Sequence, residues 1–407
     1  MLWSLGLKRF IQQGSLTVID ARGIAHHFGV ESAQPTVIIR LHRRSLHYKA
    51  LLNPSLYLGE AYMNGTLTLE QGCVEDMVKL FSMNGQVHWQ RPWQHFVKRS
   101  INWITWLFGV IPSKQSKANV AHHYDLSGEL YAQFLDADKQ YSCAYFINPN
   151  NSLEQAQLDK KHHIAAKLLL KPRQRVLDIG CGWGGLALYL ANNFDVQVTG
   201  LTLSEQQYTV AVQRAKDMGL QNKVKFLLRD YRHEKGQYDR IVSVGMFEHV
   251  GAHHYNEFFR QVKSLLKPDG VALLHSIGRM DGPGATDAWI KKYIFPGGYV
   301  PALSEVTPAI ERANLWITDV EILRLHYAYT LKAWRERFLA TRPHMVELYG
   351  ERFCRLWELY LIGSEYAFRN LGKMVFQIQL SNKVDLVPLT RDYMLEEEKR
   401  LQAILPV

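Results

Sequence analysis

The sequence predicts an α/β protein: a Rossmann-like, doubly wound parallel sheet preceded by a smaller α/β domain. Three observations carry this. From Lys161 onward, helical and buried-strand patterns alternate as in βαβ units. The stretch VLDIGCGWGG, Val176 to Gly185, places G-x-G-x-x-G (Gly180, Gly182, Gly185) between a strand and a helix. Residues 14 to 85 keep a different rhythm, of short β segments and turns.

Taken in order, SLTVID, PTVIIRLH and SLHYKALL read as β segments, and LGEAYMNGTLTL carries the turn pair Asn64-Gly65. These make a first domain over 1–88. The segment 89–120 holds Trp89, Trp93, Trp103 and Trp106, four of the chain's ten tryptophans, among Arg91, Lys98, Arg99, Lys114 and Lys117. Such a helix suits a membrane interface, where indole meets headgroups and cations meet anionic lipid; it equally suits a docking helix between domains. A catalytic domain fills 121–407. In it KHHIAAKLLLKP is helical, RVLDIG a buried strand, GGLALYLANNF a helix and DVQVTGLTLS a strand. SEQQYTVAVQRAKDMGL forms a helix ending at Gly219, and KVKFLLRD and YDRIVSVGMF are strands. KPDG turns into the strand VALLHSIG. An aromatic insertion, DAWIKKYIFPGGYVPALSEV, then leads to LWITDVEILRLH, the helical run TLKAWRERFLATRPHMVELY and a late strand, MVFQIQLSN.

Composition narrows the class. With 407 residues, 47% of them hydrophobic, the chain can fill one large core or two ordinary ones. Four scattered cysteines, Cys73, Cys143, Cys181 and Cys354, lack disulfide or zinc spacing and suit a reducing cytosol. The pairs His122-His123, His162-His163 and His253-His254 also lack metal spacing and read as surface or packing residues. The N-terminus has no signal-peptide pattern, and nowhere do about 18 apolar residues run together. A cytoplasmic protein, peripheral at the inner membrane face, is expected. The formal charge of +10 favours an anionic partner. Nucleic-acid motifs are lacking.

The glycine turn raises a chemical question. A pyrophosphate would sit on its backbone N–H groups, yet Asp178 stands just before the first glycine and would repel an anion. Where a nicotinamide enzyme has a ribose-binding acid at the end of the second strand, this chain has Thr202, with Gln207 nearby. A nucleoside with a cationic tail fits better, and S-adenosylmethionine carries an ammonium that Asp178 can attract. Asp230 and Tyr231 close the third strand where an adenine would lie. The next strand ends in SVGMFEHVG. Adjacent side chains diverge there, so of Glu248 and His249 only one points to the site, and Glu248 is chosen; LLHSIG brings His275 to the same edge.

These motifs in order resemble the cyclopropane-fatty-acyl-phospholipid synthase family, whose mycolic-acid-modifying relatives share the catalytic domain. HYDLSGELYAQFLD, YSCAYF, VLDIGCGWGG, GLTLSEQQ, MFEHVG, WIKKYIFPGGYVP and HYAYTLKAW carry the resemblance, and LGEAYMNG extends it to the N-terminal domain. It implies a class I methyltransferase sheet and transfer of a methyl from S-adenosylmethionine to a cis double bond in a phospholipid acyl chain. The resulting carbocation loses a proton from the new methyl to bound bicarbonate and closes to a ring. Matched motif by motif, Cys143, Glu248, His275, Ile277 (through its backbone) and Tyr327 hold that anion. At the last position HYAYTL also offers Tyr329, and the Tyr-x-x-Thr-Leu pattern favours Tyr327. Tyr141 and Ser142 join Asp178, Gly180, Gly182, Thr202, Gln207, Asp230 and Tyr231 around the cofactor. A homodimer acting on unsaturated phospholipid in an anionic membrane is implied.

The residues fit the resemblance chemically. An alkene is a weak π nucleophile, so the site must hold the chain in line, exclude water and keep a small base close. Cys143 has no Cys-His pairing for nucleophilic work and reads as a pocket wall. The alternatives are a fatty-acyl methyltransferase that stops at a methyl or methylene product, a small-molecule N-methyltransferase, and a non-enzymatic basic binding module.

Overall fold

The computed structural model describes residues 4–31, 33–89 and 128–404. The Trp-rich segment lies outside the described residues beyond Trp89, which ends the helix Val74–Trp89. The chain divides into two compact units. Among the described residues, one joins the N-terminal residues, up to Trp89, to Gly284–Pro296 and Leu331–Lys373; the other takes residues 128–283, Gly297–Thr330 and residues 374–404. The sequence reading placed 284–296 and 331–373 in the catalytic domain, whereas they fold with the N-terminal unit.

The N-terminal unit holds a four-stranded sheet of β1 (Ser15–Ile19), β2 (Ala25–Gly29), β3 (Thr36–Leu41) and β4 (Leu67–Gln71), in the order β2-β1-β3-β4. β1 and β3 run parallel, and their partners β2 and β4 are antiparallel to them. Leu16, Val18, Val37, Ile39 and Leu41 are fully buried, the alternation expected of half-buried strands. One expectation fails here. SLHYKALL is a helix, Ser45–Leu52, because Leu46 and Ala50 bury at i, i+4 rather than at alternate positions. Asn64-Gly65 forms the turn expected, between the helix Pro54–Met63 and β4. Asn53 starts that helix, its side chain accepting from the Leu56 amide at 3.1 Å, with Pro54 in the first turn, where its missing N–H costs nothing. The insertion is anchored inside this unit: Trp289 packs on Gly59, where any Cβ would strike the indole.

The second unit carries seven strands in the order β10-β11-β9-β8-β5-β6-β7. They are β5 (Arg175–Ile179), β6 (Gln197–Thr202), β7 (Val224–Leu228), β8 (Tyr238–Val244), β9 (Leu266–Arg279), β10 (Trp316–Ile322) and β11 (Lys373–Ser381). β5 through β9 pair in parallel, and β10 and β11 are antiparallel. The parallel strands read as continuous apolar runs because helices cover both faces. KPDG does not precede β9 but bulges within it, since the register jumps from Tyr238↔Leu266 to Arg240↔Val271. The helical run after Tyr329 breaks at Thr341 into His326–Ala340 and Arg342–Tyr349, with Pro343 in the second helix's first turn.

Strand order reverses at β5, which lies between β6 and β8. Ligands of such sheets sit at the carboxyl ends of the strands flanking this point. The glycine turn follows β5, and Gly245-Met246 follows β8. Both belong to the same edge.

Candidate active site

All nine residues expected around the cofactor line one cleft at the switch point: Tyr141, Ser142, Asp178, Gly180, Gly182, Thr202, Gln207, Asp230 and Tyr231. The turn after β5 needs glycine for stated reasons. Gly180 has φ +83°, and a Cβ there would lie 2.6 Å from Met246. Gly182 has φ +54°, and a Cβ on it would point into open space, which leaves the backbone exposed to a ligand. The Gly180 and Cys181 amides donate to the Leu201 carbonyl at 2.9 and 2.8 Å, so the turn is tied to β6.

Asp178 is 2% exposed, and its Oδ2 has no hydrogen-bond partner. Burial pushes its carboxyl up to about 7, against the opposing pull of the Lys160 ammonium. A buried acceptor left open in a cleft is where a ligand cation fits, so the site passes the test for an ammonium-bearing nucleoside. Thr202 and Gln207 are buried neutral groups joined at 3.0 Å, as a ribose contact without charge requires. Asp230 is less free than expected. Arg232 grips both its oxygens, at 3.0 and 2.5 Å; burial raises its carboxyl, but the guanidinium outweighs that and holds it below the ordinary range. Tyr231 stands edge-on to Phe258 with ring centroids 5.3 Å apart, which fixes its ring for stacking.

Sequence reasoning missed Lys160. It comes from the helix Leu153–Leu168, is fully buried, and donates to Gln140 at 2.7 Å and to Ser142 Oγ at 3.0 Å. Burial lowers its ammonium to about 8, with the Asp136 carboxylate resisting. No motif announces it, since only the fold brings that helix under the cleft. His249 was also passed over. β8 ends in a tight turn, Phe247–His249, which sends neighbouring side chains apart: His249 lines the cofactor cleft and Glu248 turns to the end of β9. His254, expected to be surface or packing, lines the cleft too.

The five residues expected to hold the anion gather differently. Glu248 is buried; its Oε1 accepts from the Ile277 amide at 2.6 Å, its Oε2 has no partner, and burial pushes it up to about 7. The Ile277 N–H is therefore engaged by Glu248, and the Ile277 carbonyl accepts from Ser276 Oγ at 3.0 Å. His275 and Ile277 lie two apart on β9, on one face. Cys143 is fully buried, and burial pushes its thiol up, away from nucleophilic use. Its neighbour Ala144 donates to Thr330 Oγ1 at 3.0 Å, which ties YSCAYF to the helix that also carries Tyr327 one turn earlier.

His275 has a fixed proton position. Lys167 can only donate, and it reaches Gln377 Oε1 at 2.8 Å; the other end of that amide, Nε2, then donates to His275 Nδ1 at 3.1 Å. Burial holds His275 well below its usual range, so it is neutral. With Nδ1 accepting, the single proton sits on Nε2. Lys167 is itself paired with Glu321, which His163 bridges at 2.7 Å while its other nitrogen meets Glu398 at 2.5 Å. The expectation for the His162-His163 pair holds as packing, though in a buried ionic chain. Among the described residues no cluster could hold a metal, and no helix is long and apolar enough to cross a membrane.

A glycine turn and buried carboxylate at the switch point of such a sheet define a class I S-adenosylmethionine-dependent methyltransferase. The family model described as mycolic acid cyclopropane synthetase matches residues 112–378, and this chain belongs to that family. The cyclopropane-fatty-acyl-phospholipid synthase of Escherichia coli K12 is 39% identical over 348 residues, 85% of this chain and 88% of that one. The tuberculostearic acid methyltransferase UfaA1 of Mycobacterium tuberculosis is 36% identical over 347 residues, covering 78% and 77%. The structure of the cyclopropane synthase MmaA2 from M. tuberculosis superposes with a TM-score of 0.62 at 33% identity, covering 67% of this chain and 99% of that chain. CmaA1, complexed with SAH and CTAB, gives the same figures.

Proposed function

We propose that this chain converts the cis double bond of an unsaturated acyl chain, in a phospholipid of an anionic membrane, into a cyclopropane. One methylene is added, and S-adenosylhomocysteine and a proton leave. When bound, S-adenosylmethionine supplies the electrophilic methyl and bicarbonate a small base. The observation that carries the reading is the pair of buried carboxyls, Asp178 and Glu248, each with one oxygen unpartnered, at the ends of adjacent strands.

Asp178 accepts the cofactor's ammonium, Thr202 and Gln207 face its ribose, and Asp230 and Tyr231 its adenine. Tyr141 and Ser142 line the same cleft. Glu248, poised near neutrality, holds a proton between itself and an anion, so the two negative groups do not repel. His275 donates from Nε2 to the same anion. Ile277 positions Glu248 through its amide, Cys143 walls the pocket and Tyr327 completes it. The chain works as a homodimer at the inner membrane face, with its charge of +10 favouring that surface.

The test is incubation with S-adenosylmethionine and vesicles of cis-monounsaturated phospholipid, with and without bicarbonate, read by lipid mass and proton NMR. Gain of one CH2 with upfield ring protons is expected, faster with bicarbonate. The same mass gain with vinyl protons kept would make the product methyl-branched or methylene. No gain would overturn the lipid reading, and light scattering checks the dimer.

A further inference from the structure

The N-terminal unit carries a surface that the catalytic site does not use. The helix Ser45–Leu52 buries Leu46 and Ala50, yet its other side is also apolar: Tyr48, Leu51 and Leu52 are 64%, 53% and 80% exposed. Positions 48, 51 and 52 are i, i+3 and i+4, so the three form one stripe opposite the buried one. A helix that is apolar on both sides is ordinarily covered on both. Isolated exposed leucines need no explanation, but three large apolar groups on one short helix do.

What surrounds the stripe identifies its cover. Arg43, Ser45 and Lys49 line a cavity along one flank of the same helix, together with Tyr57 and Glu60. Lys49 Nζ sits 5.7 Å from the Tyr57 ring centroid, which holds the ammonium over the cavity. Arg44 precedes the helix, and exposed Lys292 reaches the cavity's Glu60 from the insertion. Against these cations the cavity has one acid, Glu60, already engaged by Lys292 at 2.7 Å and by the Tyr293 hydroxyl at 2.8 Å. An apolar stripe beside a cavity whose cations, Arg43 and Lys49, face no free acid among the described residues matches a bilayer that presents acyl chain and phosphate side by side.

We propose that Tyr48, Leu51 and Leu52 insert at the headgroup level of an anionic bilayer while Arg43 and Lys49 receive a lipid phosphate in the adjoining cavity. This deepens the membrane reading above, on which it rests, and assigns docking to particular residues of the N-terminal unit.

The experiment is vesicle sedimentation of the full chain with phosphatidylglycerol-containing vesicles and with pure phosphatidylcholine vesicles. Wild type is compared with Leu51→Gln/Leu52→Gln and with Arg43→Ala/Lys49→Ala. Thermal melts and turnover on detergent-dispersed phospholipid check that each variant is folded; all four altered positions are exposed, and none belongs to the catalytic cleft. Wild type binds the anionic vesicles preferentially. The leucine pair weakens that binding at least tenfold, and the cation pair weakens it about fivefold per charge removed and flattens its salt dependence. Wild type that ignores both vesicle types overturns the membrane reading and the patch together. Wild type that binds while both variants bind equally well overturns the patch alone. Variants that lose self-association and keep vesicle binding assign the stripe to a second copy of this chain and overturn the proposal.

Discussion

The cofactor cleft and the His275 pocket lie at the carboxyl edge of one sheet, but they differ in what their polar atoms are doing. In the cleft Gly182 faces open space and Asp178 Oδ2 waits without a partner. Around His275 nearly every polar atom is already engaged, from Gln377 through Lys167 and Glu321 to His163 and Glu398. The first region is built to be completed by a ligand, and the second to fix one proton before a ligand arrives. Substitutions should therefore fail differently in the two places.

The largest effect is expected at Asp178. Asp178→Asn removes the ammonium's counter-charge and should weaken S-adenosylmethionine binding about 100-fold or more, read by calorimetry. Stability moves the other way. The folded carboxyl sits near 7 against an ordinary 3.8, so the folded state holds its proton more tightly than the unfolded chain. The wild type's stability thus falls as pH rises from about 4 to 7 and stays low above that. The variant without ligand should melt higher than wild type at pH 8, and the two should converge near pH 4.

Gln377 comes next. Gln377→Leu leaves the cleft untouched but frees the His275 tautomer, so turnover should drop about 10- to 100-fold with cofactor affinity unchanged. Nitrogen-15 NMR of labelled histidine should show His275 protonated on Nε2 in wild type and mixed in the variant. An unchanged tautomer with lost activity would leave Gln377 a packing residue only.

A smaller effect follows from pH alone. Only ionised Asp178 attracts a cation, so cofactor affinity should rise about tenfold between pH 6 and pH 8, levelling above the carboxyl's pKa. The Asp178→Asn variant should be flat over that range. Smallest is Thr330→Val, which strands the Ala144 amide and should cost about 1–3 kcal/mol in a denaturant melt, with local opening of the YSCAYF segment in hydrogen exchange.

The same contrast explains what was legible in the sequence. The nine cleft residues sit at strand ends or in motifs a few residues long, where apolar runs and glycine spacing mark the sheet edge directly. Lys160, Gln377 and Lys167 are plain residues inside a helix or strand, and only tertiary pairing gives them meaning; Gln377 meets His275 across 102 positions. His249 was lost for a local reason, because the turn after β8 sends both neighbours to useful places rather than one. In the N-terminal unit, SLHYKALL was misread because its apolar content fits either period. The spacing of Leu46 and Ala50 was the available sign of a helix.

The division of the chain also has a consequence for its synthesis. The N-terminal unit closes only with residues 331–373, and the large sheet receives β11 between β9 and β10 after that. Neither unit can be completed before residues 331–373 have left the ribosome. Long-range closures of this kind slow folding, and they leave strand edges open to a chaperone in the meantime. Because β11 also brings Gln377 to His275, a chain that stalls before it lacks both the strand and the group that sets the histidine's proton.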